Sequence, residues 1–99
     1  MDNTDEEDLW NLVGFILASK NRINILQYLN NNSALPSQIS KKFNIPMGHT
    51  SNLLKGLQNK NLVKCLNPDL KKGRIYTITK LGSEINQNIS KISKNNKKL

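Results

Sequence analysis

Leu35-Pro-Ser-Gln-Ile-Ser-Lys-Lys-Phe-Asn-Ile-Pro-Met-Gly-His-Thr-Ser-Asn-Leu-Leu-Lys-Gly-Leu-Gln-Asn-Lys-Asn-Leu-Val63 decides how this chain folds. Its opening, Leu35 to Phe43, reads as a short helix: Pro36 sits in the first turn, where a missing N–H costs nothing, and Ile39 and Phe43 lie one turn apart. Asn44-Ile-Pro46 is too short for anything but a turn. From Met47 to Lys60 helical spacing resumes through Thr50, Leu54 and Leu57, with Leu53 at the margin. That inward row leaves Met47, Gly48, His49, Ser51, Asn52 and Lys55 facing outward. Two short helices joined by a tight turn result.

Working upstream, Thr4-Asp-Glu-Glu7 matches a capping box, in which a hydroxyl and a carboxylate satisfy free amides at a helix start. The helix that follows carries Leu9, Trp10, Leu12, Val13, Phe15, Ile16 and Leu17 on nearly every side, more than one domain face can cover. Ser19 caps a second helix striped with Ile23, Leu26 and Leu29 and broadened by Ile25 and Tyr28, and Asn30 to Ser33 form a loop. Downstream, Leu62 to Leu66 and Ile75 to Thr79 alternate as two strands joined by a loop from Pro68 to Arg74. Thr79 then caps a last helix with Leu81, Ile85, Ile89 and Ile92 along one narrow stripe. One domain spanning residues 1–94 and a basic tail, 95–99, account for the chain.

Charge is unevenly placed. Five of the seven acids, Asp2, Asp5, Glu6, Glu7 and Asp8, precede Leu9; beyond it Asp69 and Glu84 alone oppose all 15 Lys and Arg, a net +13. Such a field attracts a polyanion, or serves simply as a solubilising surface. One Cys and one His exclude an internal disulfide and a clustered metal site, and a reducing cytoplasm fits. The longest apolar run, Leu9 to Ala18, is interrupted by Asn11 and too short for a membrane span. Neither a Ser/His/Asp set, a carboxylate pair nor a phosphate-binding Gly loop offers itself for catalysis, and no cofactor is expected. Strand alternation puts Cys65 on the inward face with Val63, where a cysteine acts as a small hydrophobe.

After the first helix, three helices, a hairpin and a final helix, with a tight turn between the last two helices before the hairpin, describe a winged helix: mainly α, with a β-hairpin wing. The stretch from Leu35 to Val63 resembles the helix-turn-helix of ArsR-like and MarR-like regulators. Leu66-Asn-Pro68, Lys72-Gly-Arg74, Tyr76 and Thr79-Lys-Leu-Gly82 look like the wing and exit of small archaeal winged-helix regulators, so the resemblance covers roughly residues 12 to 85. Asn61 stands where that family usually has Gly, and Pro46 where a Ser or Thr cap is common.

The resemblance implies a regulator of transcription that binds double-stranded DNA, with the N-terminal part of the Met47 to Lys60 helix meeting base edges. His49, Ser51 and Asn52 are then the candidates for base readout, with Met47 and Gly48 beside them and Lys55 on the backbone. Lys41 and Lys42 on the preceding helix, and Lys71, Lys72 and Arg74 around Gly73 in the wing, would meet phosphates or the minor groove. Leu9, Trp10, Val13, Ile16 and Leu17 of the first helix and Leu81, Ile85, Ile89 and Ile92 of the last are expected to form a homodimer interface. Two other readings stay open: a winged helix that docks a protein, and a nonspecific chromatin-like coat on DNA.

Overall fold

A computed structural model describes residues 6–97. Helix α1 (Glu6–Leu17) is followed by α2 (Lys20–Asn31), α3 (Pro36–Phe43), α4 (Met47–Asn59), strands β1 (Val63–Cys65) and β2 (Tyr76–Ile78), and helix α5 (Lys80–Lys97). The expected capping box begins at Thr4 and so lies outside the described residues. The strands are shorter than their alternation suggests, and α5 continues to Lys97 through most of the stretch expected to be a tail.

Several helix boundaries have a local cause. Ser19 accepts the Arg22 amide on its hydroxyl at 3.3 Å and starts α2. At the other side of that short joint, Arg22 donates to the Phe15 carbonyl at 2.7 Å, which satisfies a free oxygen at the end of α1. Pro36 occupies the first position of α3, and Gln38 reaches back to accept the Leu35 amide at 2.8 Å. Helices α3 and α4 both end on an asparagine in the left-handed region, Asn44 at φ 55° and Asn61 at φ 63°. Asn tolerates that conformation better than other side chains, so Asn61 does the work of the family's usual Gly. Pro46 precedes α4 with no side-chain cap.

The strands pair antiparallel, Val63 with Ile78 and Cys65 with Tyr76. Ala34, just before α3, adds a bridge to Tyr76 through two backbone bonds of 3.0 and 2.9 Å. That bridge ties the base of the hairpin to the helix-turn-helix. Thr79 closes the other end: its hydroxyl donates to Asn61 O at 2.8 Å and accepts the Gly82 amide at 2.9 Å. Gly82 then lets α5 lie directly on the backbone, since a Cβ there would stand 2.1 Å from Leu62 O.

The core gathers Ile16 from α1, Ile25, Leu26 and Leu29 from α2, Ile39 from α3, Leu54 and Leu57 from α4, Leu62 and Val63, and Ile85 from α5. This placement corrects part of the expected dimer interface. Val13, Ile16, Ile85 and Ile89 are at most 3% exposed within a single chain, because the α5 stripe folds back onto α1 and α2 and covers the protomer's own core. Leu9, Leu81 and Ile92 are half-buried against that core, whereas Trp10 and Leu17 are exposed. Cys65 is also only half-buried, less enclosed than Val63. Among the described residues no helix is long and apolar enough to cross a membrane.

Candidate nucleic-acid interface

Burial of Thr50, Leu54 and Leu57 sets the orientation of α4, and all six expected outward residues, Met47, Gly48, His49, Ser51, Asn52 and Lys55, are exposed. Helical spacing sorts them into rows. Met47, Ser51 and Lys55 line a cleft shared with the wing; Gly48 and Asn52 form the next row around. His49 is on the opposite flank, with its Nε2 3.5 Å from Nδ2 of Asn21 in α2.

The cleft has a volume of about 680 Å³. Its walls are α4, the start of α3 at Leu35, Pro36 and Ser37, and the wing residues Lys71, Lys72, Gly73 and Arg74. Four cations, Lys55, Lys71, Lys72 and Arg74, therefore border one concave surface. Cations in that position neutralise a polyanion laid along the cleft, while α4 has the width to enter a major groove.

Beyond the short strands, the wing is shaped by polar side chains. Asn67 Oδ1 accepts the Ile75 amide at 2.8 Å and the Cys65 thiol at 3.5 Å, while its Nδ2 donates to Gly73 O at 3.0 Å. Arg74 Nε donates to Leu70 O at 2.6 Å and one terminal nitrogen to Pro68 O at 3.3 Å. Gly73 supplies the positive φ of 73° that the turn requires. Arg74 thus braces the loop with part of its guanidinium and keeps further N–H groups for a ligand.

Of the predicted residues the cleft gathers Met47, Ser51, Lys55, Lys71, Lys72 and Arg74, whereas Gly48, His49 and Asn52 are exposed on α4 outside it. Lys41 and Lys42 are exposed but do not line the cleft, and Lys42 Nζ stands 5.8 Å from the Tyr28 ring centroid. Sequence reasoning missed Ser37 and Gln58, which do line it, as well as Asn21 and Asn67. Gln58 was within reach, since it extends the Ser51 row by seven residues. Among the aromatic residues, Phe15 is taken up by cations, with the Arg22 guanidinium 4.0 Å and Lys60 Nζ 5.4 Å from its centroid. Tyr28 meets Phe43 edge-on at 5.8 Å. Among the described residues no group of three His, Cys, Asp or Glu is placed to hold a metal ion.

Known proteins share this fold. No curated protein sequence matches the chain. Among solved structures, Staphylococcus aureus MepR bound to DNA is similar with a TM-score of 0.68 at 19% identity, over 80% of this chain and 67% of that one. The homodimeric winged helix-turn-helix DNA-binding domain of Mycobacterium bovis Mb0332 gives 0.64 at 20% identity, over 94% and 87%. ZitR of Lactococcus lactis gives 0.64 at 18% identity over 74% of this chain, which spans only 51% of the ZitR length. Likeness at such identity establishes the fold. A family model described as winged helix-turn-helix matches residues 22–97, and the chain belongs to that family.

Proposed function

We propose that this chain is a sequence-specific double-stranded DNA-binding regulator of transcription, working as a homodimer in the cytoplasm and repressing by occupying promoter DNA. One observation carries the reading: Met47, Ser51 and Lys55 on the exposed face of α4 and the wing cations Lys71, Lys72 and Arg74 border a single cleft. The likeness to MepR in its DNA complex and to the homodimeric Mb0332 domain supports it. Asn52 is suited to adenine, His49 to a guanine acceptor or a phosphate, and Ser51 to either. Lys55, Lys71, Lys72 and the free edge of Arg74 take phosphates, with Lys41 and Lys42 on the flanking backbone.

The second copy covers Trp10 and Leu17, on one face of α1, together with the exposed parts of Leu9, Leu81 and Ile92. Twofold symmetry then sets half-sites about one helical turn apart, roughly 34 Å. Trp10→Asp with Leu17→Asp should leave a monomer by light scattering, and an unchanged dimer would move the interface elsewhere.

The decisive experiment enriches sites from a random DNA library and compares binding of enriched and scrambled duplexes by fluorescence anisotropy at two salt concentrations. Preference for a palindrome that outlives added salt is the expected result. A nonspecific coat, the reading favoured by the net +13 beyond Leu9, would bind both duplexes equally and lose both to salt. Binding to neither would leave the cleft to a protein partner.

A further inference from the structure

Glycine is, after proline, the least favourable residue inside a helix, so a helical glycine needs a reason. Gly82 has one in the 2.1 Å approach of Leu62 O, and Gly73, outside the helices, has one in its φ of +73°. Gly48 has neither: it lies in the first turn of α4, is exposed, and a Cβ built on it would meet nothing within 4 Å. Nothing in the fold gains from the missing side chain. The omission serves whatever lies against the helix from outside. Gly14 shares the property on the α1 face assigned above to a second copy.

Its neighbour Met47 carries the complementary anomaly. The side chain is 49% exposed at the first position of α4, an apolar group lining the cleft that Lys55, Lys71, Lys72 and Arg74 border. A thioether offers a base edge no useful hydrogen bond, and the one apolar group that bases display in the major groove is the C5-methyl of thymine.

We propose that Met47 and Gly48 form an apolar notch that receives a thymine C5-methyl group and so determines part of the recognised sequence. Gly48 lets the base edge approach the helix backbone, and Met47 packs against the methyl. The neighbouring Ser51, Asn52 and His49 read hydrogen-bonding positions around it. This assignment rests on the DNA-binding reading above and deepens it.

The test takes the duplex enriched from the random library and replaces each thymine in turn with deoxyuridine, which deletes the methyl and leaves base pairing intact. One thymine per half-site should prove sensitive, with about fourfold weaker binding of the wild-type protein, the value of one buried methyl group. Met47→Ala should bind the thymine and deoxyuridine duplexes alike at that position. Gly48→Ala should bind the enriched site at least tenfold more weakly while melting at the same or a higher temperature.

Insensitivity of the wild-type protein at every thymine, or full discrimination retained by Met47→Ala, would overturn the proposal with DNA binding intact. A lower melting temperature for Gly48→Ala would show that the glycine serves the fold and remove its part in the notch. Failure of the wild-type protein to bind any unmodified duplex would overturn the DNA-binding reading itself, and the notch with it.

Discussion

Helix α4 and the wing face each other across one cleft, but they are held in opposite ways. α4 is held from behind by burial: Thr50 and Leu57 are 0% exposed and Leu54 is 1%. It cannot shift without opening the core. The wing is held from within. Its strands are three residues each, its tip is exposed, and its loop takes shape from the polar bonds of Asn67 and Arg74. Elements with few buried contacts and many exposed hydrogen bonds open locally at low cost. On the proposed reading, base contacts would come from the rigid element and backbone contacts from the adjustable one.

The strongest way to break this division is to remove the support both regions share. Gly82 backs onto Leu62, the residue just before β1, and a Cβ would also stand 2.7 Å from Ile78 Cγ1 on β2. Backbone cannot rotate out of the way as a side chain can. Gly82→Ala should therefore cost about 3 kcal/mol or more, at the top of the overpacking range, and lower the melting temperature on the order of 15 °C. Thermal unfolding followed by circular dichroism checks this, and an unchanged midpoint would show that α5 can lift from β1 freely.

A smaller effect distinguishes α4 from the wing by what each would recognise. His49→Ala and Asn52→Ala should each reduce discrimination between correct and altered duplexes by about 1–3 kcal/mol, with little change in stability, because both side chains are exposed. Lys72→Ala on the wing should instead weaken binding to all sequences and flatten the salt dependence by about one unit of slope. Competition binding with single-base variants at several salt concentrations reads both quantities. If Lys72→Ala relaxes sequence preference, the wing reads bases and the division fails.

Asn67→Ala tests how the wing is held. The substitution removes three hydrogen bonds from a half-exposed loop, so global stability should fall by only about 1 kcal/mol. Hydrogen exchange should locate the change: the Ile75 amide, which donates to Asn67, should lose protection while Leu26 and Leu57 in the core keep theirs. DNA affinity should drop several-fold with sequence preference intact. Loss of protection across the core would place Asn67 among the residues that hold the whole fold.

The same contrast explains how much of the molecule could be read from its sequence. Buried helical faces repeat, so Thr50, Leu54 and Leu57 alone settled which α4 residues face out. Ser19, Pro36 and Thr79 marked helix starts because capping is local chemistry. An apolar stripe, however, states that it will be buried and not by what. Val13, Ile16, Ile85 and Ile89 were expected at a partner and are covered by their own chain. Positive charge on a neighbouring helix is similarly silent about direction, and Lys41 and Lys42 fell outside the cleft. The bonds of Asn67 and the bridge from Ala34 to Tyr76 depend on the path of the folded backbone, which no periodicity encodes.

Thr50 offers the subtlest test, because it holds α4 from behind at a cost. Its side chain is fully buried, and its hydroxyl oxygen has no hydrogen-bond partner among the described residues. A hydroxyl desolvated without compensation costs roughly 1–3 kcal/mol on mutational scales. Valine keeps the branched shape and has a similar helix propensity, so Thr50→Val replaces that penalty with apolar packing against the surrounding core. Stability should rise by about 1 kcal/mol, and denaturant titration would show a higher midpoint with an unchanged slope. Because Thr50 is buried and does not line the cleft, DNA affinity and sequence preference should not move. A lower midpoint would mean that the hydroxyl has a partner in solution, such as a bound water, and that α4 is held by a polar contact as the wing is.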